Sequence, residues 1–405
     1  MRRLSVVAVA LLVAPACTDS IAKVGDLLAA DSDSGGEPPT PHVLATSPPR
    51  GVDILVIVDN TPSMAAEQAA LASALGQLVE SLAAVNDVRI AFTTTDNGNP
   101  WCVGTSPEAG ALAVTSCQAR VAEFSDPLLG DQSAVGCTDV CTLPTLTVLP
   151  TNEGFGSEAK ARPWIESVAG VANVDVALRD AVQCALPQGT TGCGFEQPLE
   201  SMRKAVKRSL QVGEPAEGFV RPDAELAVVV LTDEIDCSHD PAWQEIFSSD
   251  GTQVLWSNPV EEPMPTSGLC WNAGVTCSGG TADAWETCVA DDKGVAGEAV
   301  AAADAVMFPV SRYVALFEEV AQRQAPYLGE PFVSLFVIAG VPSGYSVGGA
   351  RAYPRNVDDA TLSEFGIGPV CGADPGAVPT VRMLELAENN PELVNGRVAS
   401  ICDDD

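Results

Sequence analysis

Histidine is scarce in this chain. His42 and His239 are the only two among 405 residues. A His-Glu-x-x-His metalloprotease helix and a histidine-rich zinc site are therefore both excluded. His239 has no nucleophile placed to use it, which favours a loop residue over a general base. The sequence also lacks a Walker A motif and a dinucleotide fingerprint, so nucleotide chemistry is not indicated.

Basic residues are also few, because 21 Lys and Arg face 54 Asp and Glu and the formal net charge is −33. Nucleic-acid binding relies on basic patches, so we expect no nucleic-acid partner. The acidity suits an extracellular setting rich in divalent cations. Solubility alone is an equally good explanation of it.

The N-terminus reads as an export signal. Residues 1–16 combine Arg2 and Arg3, a short apolar run and a small-residue cleavage region, which together predict a signal peptide. The run is too short to span a bilayer, so we expect no transmembrane helix. Cys17 follows directly and is the predicted lipidation site, the alternative being ordinary cleavage that leaves one unpaired thiol. Residues 18–50, rich in Asp, Ser, Gly and Pro, predict a flexible tether.

Thirteen cysteines are present, and removing Cys17 leaves twelve. In an oxidising compartment these would form six disulfides. Within that set we predict a local loop closed by Cys184 and Cys193, and a pair between Cys371 and Cys402.

The stretch from Val52 to Gln68 has the pattern of a buried strand, a turn and a helix. Ile54 to Val58 is apolar on both faces, as in the centre of a parallel sheet. Asp59, Thr61 and Ser63 follow. Taken alone, Thr61 reads as the N-cap of the following helix, with a proline at the first helical position.

A second strand, Leu226 to Leu231, ends in Thr232-Asp233. In open α/β sheets, ligands lie beyond the carboxyl ends of strands where the strand order reverses. If the two strands are neighbours there, Asp59, Thr61, Ser63 and Asp233 converge. Their oxygens suit Mg²⁺, Mn²⁺ or Ca²⁺ rather than zinc or copper.

These residues resemble the metal-ion-dependent adhesion site of von Willebrand factor A domains, whose usual form is Asp-x-Ser-x-Ser, a Thr in a middle loop and a later Asp. Asp59, Thr61 and Ser63 match the first part and Asp233 the last. For the middle position Thr190, Thr191 or Glu196 are candidates, and none has the usual spacing. The chain looks most like the cysteine-rich, lipid-anchored proteins of this type in Gram-negative bacteria. The resemblance implies an outer-membrane or cell-surface lipoprotein, on the periplasmic or extracellular face.

The resemblance implies an α/β doubly wound fold with a mainly parallel central sheet flanked by helices and disulfide-stapled insertions. The predicted domain spans 51–349, with insertions at about 96–150 and 237–307. It is followed by an extension at 350–405, either complete or truncated. Within it, the apolar spacing predicts a helical region from Trp164 to Ala185.

The second insertion holds four tryptophans that are either a ligand-facing surface or a small satellite core. They are Trp243, Trp256, Trp271 and Trp285. Near its start, Asp236 and Asp240, with Asp233 and Glu234, form a weak candidate for a second Ca²⁺ site, without the spacing of an EF-hand.

The resemblance implies a surface-anchored, metal-dependent binding or adhesion protein, not an enzyme, that recognises a protein partner offering a carboxylate. A non-catalytic envelope scaffold with a degenerate metal site is the first alternative. A secreted serine hydrolase is the second, because Gly344 to Gly348 matches Gly-x-Ser-x-Gly around Ser346. No histidine follows Ser346, so we expect a simple turn there.

Overall fold

The computed structural model describes residues 51–126, 129–151, 159–258, 264–372 and 376–403. The predicted signal peptide, Cys17 and the tether lie outside the described residues.

A seven-stranded sheet forms the centre of the molecule. Its order is β11-β10-β7-β1-β2-β5-β6. The strands from β11 to β2 pair in parallel, whereas β2, β5 and β6 pair antiparallel. The bounds are β1 Gly51–Val58, β2 Asp87–Thr94, β5 Ile165–Val168, β6 Val171–Ala172, β7 Glu225–Leu231, β10 Val333–Ala339 and β11 Asn395–Ser400. The predicted α/β class with a mostly parallel central sheet is confirmed.

Helices cover both faces of this sheet. The covering helices are α1 Ala65–Ala83, α2 Leu178–Ala185, α3 Pro198–Leu210, α5 Ser311–Leu328 and α7 Val381–Asn389. Two more helices, α4 Gly268–Gly274 and α6 Asp359–Phe365, pack in a separate apolar cluster. Side chains of α1 and α2 pack on one face in one apolar cluster, and those of α3, α5 and α7 pack on the other. Strand β1 is buried along its whole length between these layers, as its two-sided apolar sequence requires.

Two small hairpins lie outside the main sheet. Strands β3 (Ser125–Asp126) and β4 (Gly130–Asp131) form one, and β8 (Val275–Ser278) and β9 (Thr287–Ala290) form the other. The first belongs to the predicted insertion at 96–150 and the second to that at 237–307.

The predicted helical region from Trp164 to Ala185 is wrong in its first half. Residues 165–172 form the β5–β6 hairpin, and the helix begins at Leu178. The hairpin turns at Ala169 and Gly170, both with positive φ, the backbone geometry that tight hairpins require. Val168, Val171 and Val174 lie three residues apart across this turn, a spacing that is also found along one face of a helix.

Six disulfides are formed, as the cysteine count predicted. They join Cys102–Cys193, Cys117–Cys137, Cys141–Cys184, Cys237–Cys270, Cys277–Cys288 and Cys371–Cys402. The predicted Cys371–Cys402 pair is confirmed. The predicted loop between Cys184 and Cys193 is wrong, because both residues bond instead to the first insertion and tie it to the domain.

The segment predicted as a C-terminal extension contributes to the central sheet. Strand β11 pairs in parallel with β10 along six residues, and α7 packs into the main core. Its weak periodicity in sequence reflects a short edge strand that includes a glycine and an arginine.

Among the residues that the structure describes, no helix combines the length and apolarity needed to cross a membrane.

A buried ion pair joins β2 to the antiparallel edge of the sheet. Arg89 donates to Glu166 at 2.9 Å and to the carbonyl of Gly218 at 2.7 Å. Glu166 also accepts from the Trp164 indole at 2.8 Å. Both charged side chains are almost fully buried, so each depends on the other for compensation.

We expect Arg89→Met to lower the free energy of unfolding by about 3–5 kcal/mol, because Glu166 is left buried without its counter-charge. Adding Glu166→Gln should restore part of that loss. Denaturant unfolding with the disulfides intact measures both. An Arg89→Met protein as stable as wild type would contradict this account of the sheet edge.

Candidate metal centre

Strands β1 and β7 are neighbours, and their carboxyl ends lie at the point where strand order reverses. Val58 pairs with Leu231, and the Asp59 amide donates to the Leu231 carbonyl at 3.0 Å. Strand β2 lies on the other side of β1. Asp59 and the Thr232-Asp233 pair therefore leave the sheet side by side, as the sequence predicted.

The Asp59 carboxylate is fully buried and held at both oxygens. Oδ1 accepts from the Thr61 amide at 2.9 Å and from the Thr61 hydroxyl at 2.6 Å. Oδ2 accepts from the Thr232 hydroxyl at 2.6 Å. Neutral hydroxyls and an amide orient this carboxylate, and its negative charge remains unpaired.

The hydroxyls of Thr61 and Ser63 lie together, 3.3 Å apart. Thr61 does precede a short 3-10 turn, Pro62–Met64, yet its side chain makes no capping hydrogen bond. Its hydroxyl turns to Asp59 instead. Simple capping therefore does not explain why this position carries a hydroxyl.

Glu196 has the most unusual environment in the site. It is fully buried, and neither carboxylate oxygen has a hydrogen-bond partner. The backbone around it is fixed: its carbonyl accepts from the Cys237 amide at 2.6 Å, and the Gln197 amide donates to Thr95 at 3.0 Å. The Cys102–Cys193 disulfide anchors the same loop three residues earlier.

The three candidates for the middle position differ in their surroundings. Glu196 is buried, and its pKa is raised by burial and by the charge of Asp59. Thr191 is exposed, and the amide of the next residue, Gly192, donates to the Asn60 carbonyl at 2.9 Å, beside Asp59. Thr190 is buried, but its amide donates to the Glu123 carbonyl at 2.7 Å, and its hydroxyl lies 3.5 Å from the same atom.

Burial and neighbouring charges shift the pKa values of several acidic groups in the site. Burial raises the pKa of Glu196 well above its usual range, and the charges of Asp59, Asp96, Glu234 and Asp233 raise it further. Burial, followed by the charge of Asp59, raises the pKa of Asp233 to about 7, against a hydrogen bond with Ser63. Burial and the charge of Asp233 likewise raise the pKa of Glu234. Burial and mutual repulsion therefore disfavour the ionised forms of these carboxyls.

The residues fit a hard cation. One oxygen each of Asp233, Glu234 and Glu67 is buried without a hydrogen-bond partner, in addition to both oxygens of Glu196. Buried carboxylates that lack partners are costly unless a positive charge compensates them. Within the described ranges, no three His, Cys, Asp or Glu side chains surround a common point suited to a metal ion. Direct ligands here would thus include the hydroxyls of Thr61 and Ser63.

The residues of the predicted second Ca²⁺ site serve other purposes. Asp236 forms a buried ion pair with Arg382 at 2.9 Å and accepts from Ser238 at 2.6 Å. Asp240 caps the 3-10 segment Pro241–Phe247 by accepting from the Ala242 amide at 2.9 Å. The structure therefore does not bring them together as ligands.

The four tryptophans of the second insertion belong to a third apolar cluster. Trp256 and Trp271 are buried inside it, whereas Trp243 and Trp285 are half-buried against it. Arg355 stacks over Trp285, with its guanidinium carbon 4.1 Å from the ring centroid. The buried pair has no surface to offer a ligand, and the satellite-core alternative describes the insertion.

The structure adds residues that the sequence alone did not select. Gln68 donates to the carbonyls of Asp59 and Gly189, both at 2.8 Å, and accepts from the Gln188 amide at 2.8 Å. It thereby fixes the loop between α2 and α3, residues 186–197, over the end of β1. We call this segment the middle loop. Asp96, two residues beyond the end of β2, had a detectable signal, since it follows a buried strand as Asp59 and Asp233 do.

The chain matches no model of a known protein family and no curated protein. The resemblance to von Willebrand factor A domains therefore rests on the residues and their arrangement alone, and it stays a hypothesis.

Glu196 should cost stability when no cation is present. We expect Glu196→Met to raise the free energy of unfolding in chelator by about 1–3 kcal/mol, because it removes a buried carboxyl without partners. Asp59→Ala should lower it, since the Thr61 and Thr232 hydroxyls lose their acceptor. Chemical denaturation in chelator compares the two. Glu196→Met less stable than wild type would show that this carboxyl has partners after all.

Proposed function

We propose that this chain is an exported, metal-dependent binding protein with a von Willebrand A-type site at the carboxyl ends of β1 and β7. The observation that carries the proposal is the environment of Glu196. Its two carboxylate oxygens are buried and have no hydrogen-bond partner, and the charges of Asp59 and Asp233 act on it. A protein gains nothing in stability from such a group. Its presence is accounted for if a cation compensates it.

The role of each residue follows from its contacts. The Thr61 hydroxyl donates a hydrogen bond to Asp59, so the lone pairs of its oxygen stay available to a cation. Ser63 offers a second hydroxyl next to it. Asp59, Asp233 and Glu196 supply negative charge close by. A bound Mg²⁺, Mn²⁺ or Ca²⁺ would offer a coordination position to an oxygen atom of a partner protein.

The compartment is consistent with this role. Six disulfides indicate an oxidising, exported setting. We further propose that Cys17 is lipidated and that the tether at 18–50 holds the domain away from an outer membrane or cell surface. The membrane contact is then made through the lipid alone.

An envelope scaffold with a degenerate metal site is the second candidate. Two observations favour it: no threonine of the middle loop has the usual spacing, and no three acidic groups in the described parts of the chain share a metal-sized space. The hydrolase alternative has less support. Ser346 is exposed in a turn after β10 rather than at the start of a helix, and His239 is buried with Nδ1 3.2 Å from the Cys237 carbonyl.

Cation binding should stabilise the folded protein. At a hundredfold excess of Mg²⁺, Mn²⁺ or Ca²⁺ over the dissociation constant, we expect a gain of about 2.7 kcal/mol in the free energy of unfolding. Asp59→Ala should abolish that gain because the charge beside the hydroxyls is lost. Thermal unfolding with each cation and with chelator measures it.

The control variant is Glu80→Gln, an exposed position in the last turns of α1, far from the site. It removes the same charge and should respond to cations as wild type does. If wild type gains no stability from any of the three cations, the scaffold function replaces metal-dependent binding.

A further inference from the structure

A cavity of about 530 Å³ opens between four segments of the chain. They are the residues after β2, one face of α3, the start of the second insertion and the start of α5. None of the residues proposed to hold the cation lines this cavity. Its volume lies in the range of sites that bind small molecules.

We propose that this cavity binds a small hydroxylated organic acid, with the carboxylate of the ligand at Lys204 and one of its hydroxyls at His239. The inference concerns a second site and does not rest on the proposed metal-dependent function.

Lys204 brings a positive charge to the cavity that no acidic side chain neutralises directly. In the part of the chain that the structure describes, its ammonium forms no ion pair and donates to the Asn97 side-chain oxygen at 2.7 Å. An ammonium has three donors, so two remain for a ligand. Burial lowers the pKa of Lys204, and a bound anion would oppose that effect. One lysine matches the single charge of a carboxylate.

The other charged side chains of the cavity neutralise each other. Glu200 accepts from Nε and Nη2 of Arg312 at 3.2 and 3.3 Å, and from Arg203 at 3.4 Å. The guanidinium carbon of Arg312 also lies 3.8 Å from the centroid of the Phe308 ring. Lys204 therefore leaves the cavity positively charged in a chain whose net charge is −33. Because the field of the whole chain repels anions, the affinity has to come from contacts inside the cavity.

His239 supplies a hydrogen-bond acceptor. Its Nδ1 lies 3.2 Å from the Cys237 carbonyl oxygen, which can only accept, so Nδ1 carries the hydrogen. Burial lowers the pKa of His239, so the ring is neutral near pH 7 and Nε2 keeps its lone pair. That lone pair can accept from a hydroxyl, whereas a carboxylate has no hydrogen to give it.

Amide side chains favour a hydrophilic body for the ligand. Asn99 lines the cavity, and its side-chain oxygen accepts from the Trp101 amide at 2.9 Å. Its side-chain nitrogen is buried without a hydrogen-bond partner. Gln244 lies exposed at the rim. Hydroxyls both donate and accept, so they suit this lining better than a hydrocarbon ring does.

The experiment compares three six-membered-ring probes: glucuronate, glucose and cyclohexanecarboxylate. Glucuronate carries a carboxylate and hydroxyls, glucose lacks the carboxylate, and cyclohexanecarboxylate lacks the hydroxyls. Saturation-transfer NMR titrations of the full chain measure the three dissociation constants. The protein is first freed of metal on a chelating resin, so that no bound cation can hold a carboxylate.

We expect glucuronate to bind at least about tenfold more tightly than either other probe, which corresponds to ~1.4 kcal/mol. Lys204→Gln should remove its advantage over glucose. His239→Asn should reduce its advantage over cyclohexanecarboxylate, because the asparagine amide can still donate to the Cys237 carbonyl but offers no Nε2. The control is Lys207→Gln, which makes the same charge change on α3 at a residue that pairs with Glu319 outside the cavity. It should leave all three constants unchanged.

The comparison of probes on wild type decides the inference even if a variant fails to fold, which thermal unfolding would reveal. Equal binding of glucuronate and glucose, equal binding of glucuronate and cyclohexanecarboxylate, or no binding of any probe would each overturn it. An equal loss in Lys204→Gln and Lys207→Gln would also overturn it, since the effect would then be general electrostatics. Asp59→Ala should bind glucuronate as wild type does, so the result is separate from the fate of the metal site.

Discussion

The parallel pairing of β1 with β7 is the contact on which the site depends. It places Asp59 and Asp233 at adjacent strand ends, because the register runs from Val52 opposite Glu225 to Val58 opposite Leu231. The apolar side chains of both strands are buried under helices on each face, which fixes their position. The two paired strands thus place two carboxylates at the same edge of the sheet. Strand pairing stops there, and side chains at such an edge can bind ligands.

The middle loop supplies Glu196, the acidic residue of the site that follows neither strand. It crosses over the end of β1 and is fixed by Gln68, by the Thr95 carbonyl and by the Cys102–Cys193 disulfide. These restraints keep Glu196 buried although its oxygens find no donors. A locally unfavourable interaction that the rest of a stable fold tolerates is typical of binding sites.

Much of this arrangement could be read from the sequence because it depends on local patterns. The apolar runs of β1 and β7 predicted a parallel sheet, and the polar residues after them predicted the converging strand ends. The β5–β6 hairpin could not be read in the same way, since a turn at Ala169 and Gly170 left valines at a helical spacing. The pairing of Cys184 with Cys141 depends on how the insertion folds back over α2, which no local pattern records.

The burial of Glu196 is likewise a matter of tertiary structure. Backbone hydrogen bonds of residues 196 and 197 to Cys237 and Thr95 hold this part of the loop inside, whereas Thr191 in the same loop is exposed. The two tryptophans Trp256 and Trp271 show the converse case, because residues that looked suited to a ligand are buried in a cluster of their own. The sequence shows that the second insertion contains tryptophans, but only the packing shows that two of them are buried.

The proposed function requires a cation among Asp59, Thr61, Ser63, Asp233 and Glu196. The most direct measurement is an anomalous difference map from crystals of the protein grown with Mn²⁺. The account predicts one strong peak at bonding distance from the Thr61 and Ser63 hydroxyls, with Glu196 facing it directly or through water. A map without a peak there, with Glu196 and Asp233 sharing a proton in a hydrogen bond, would contradict it.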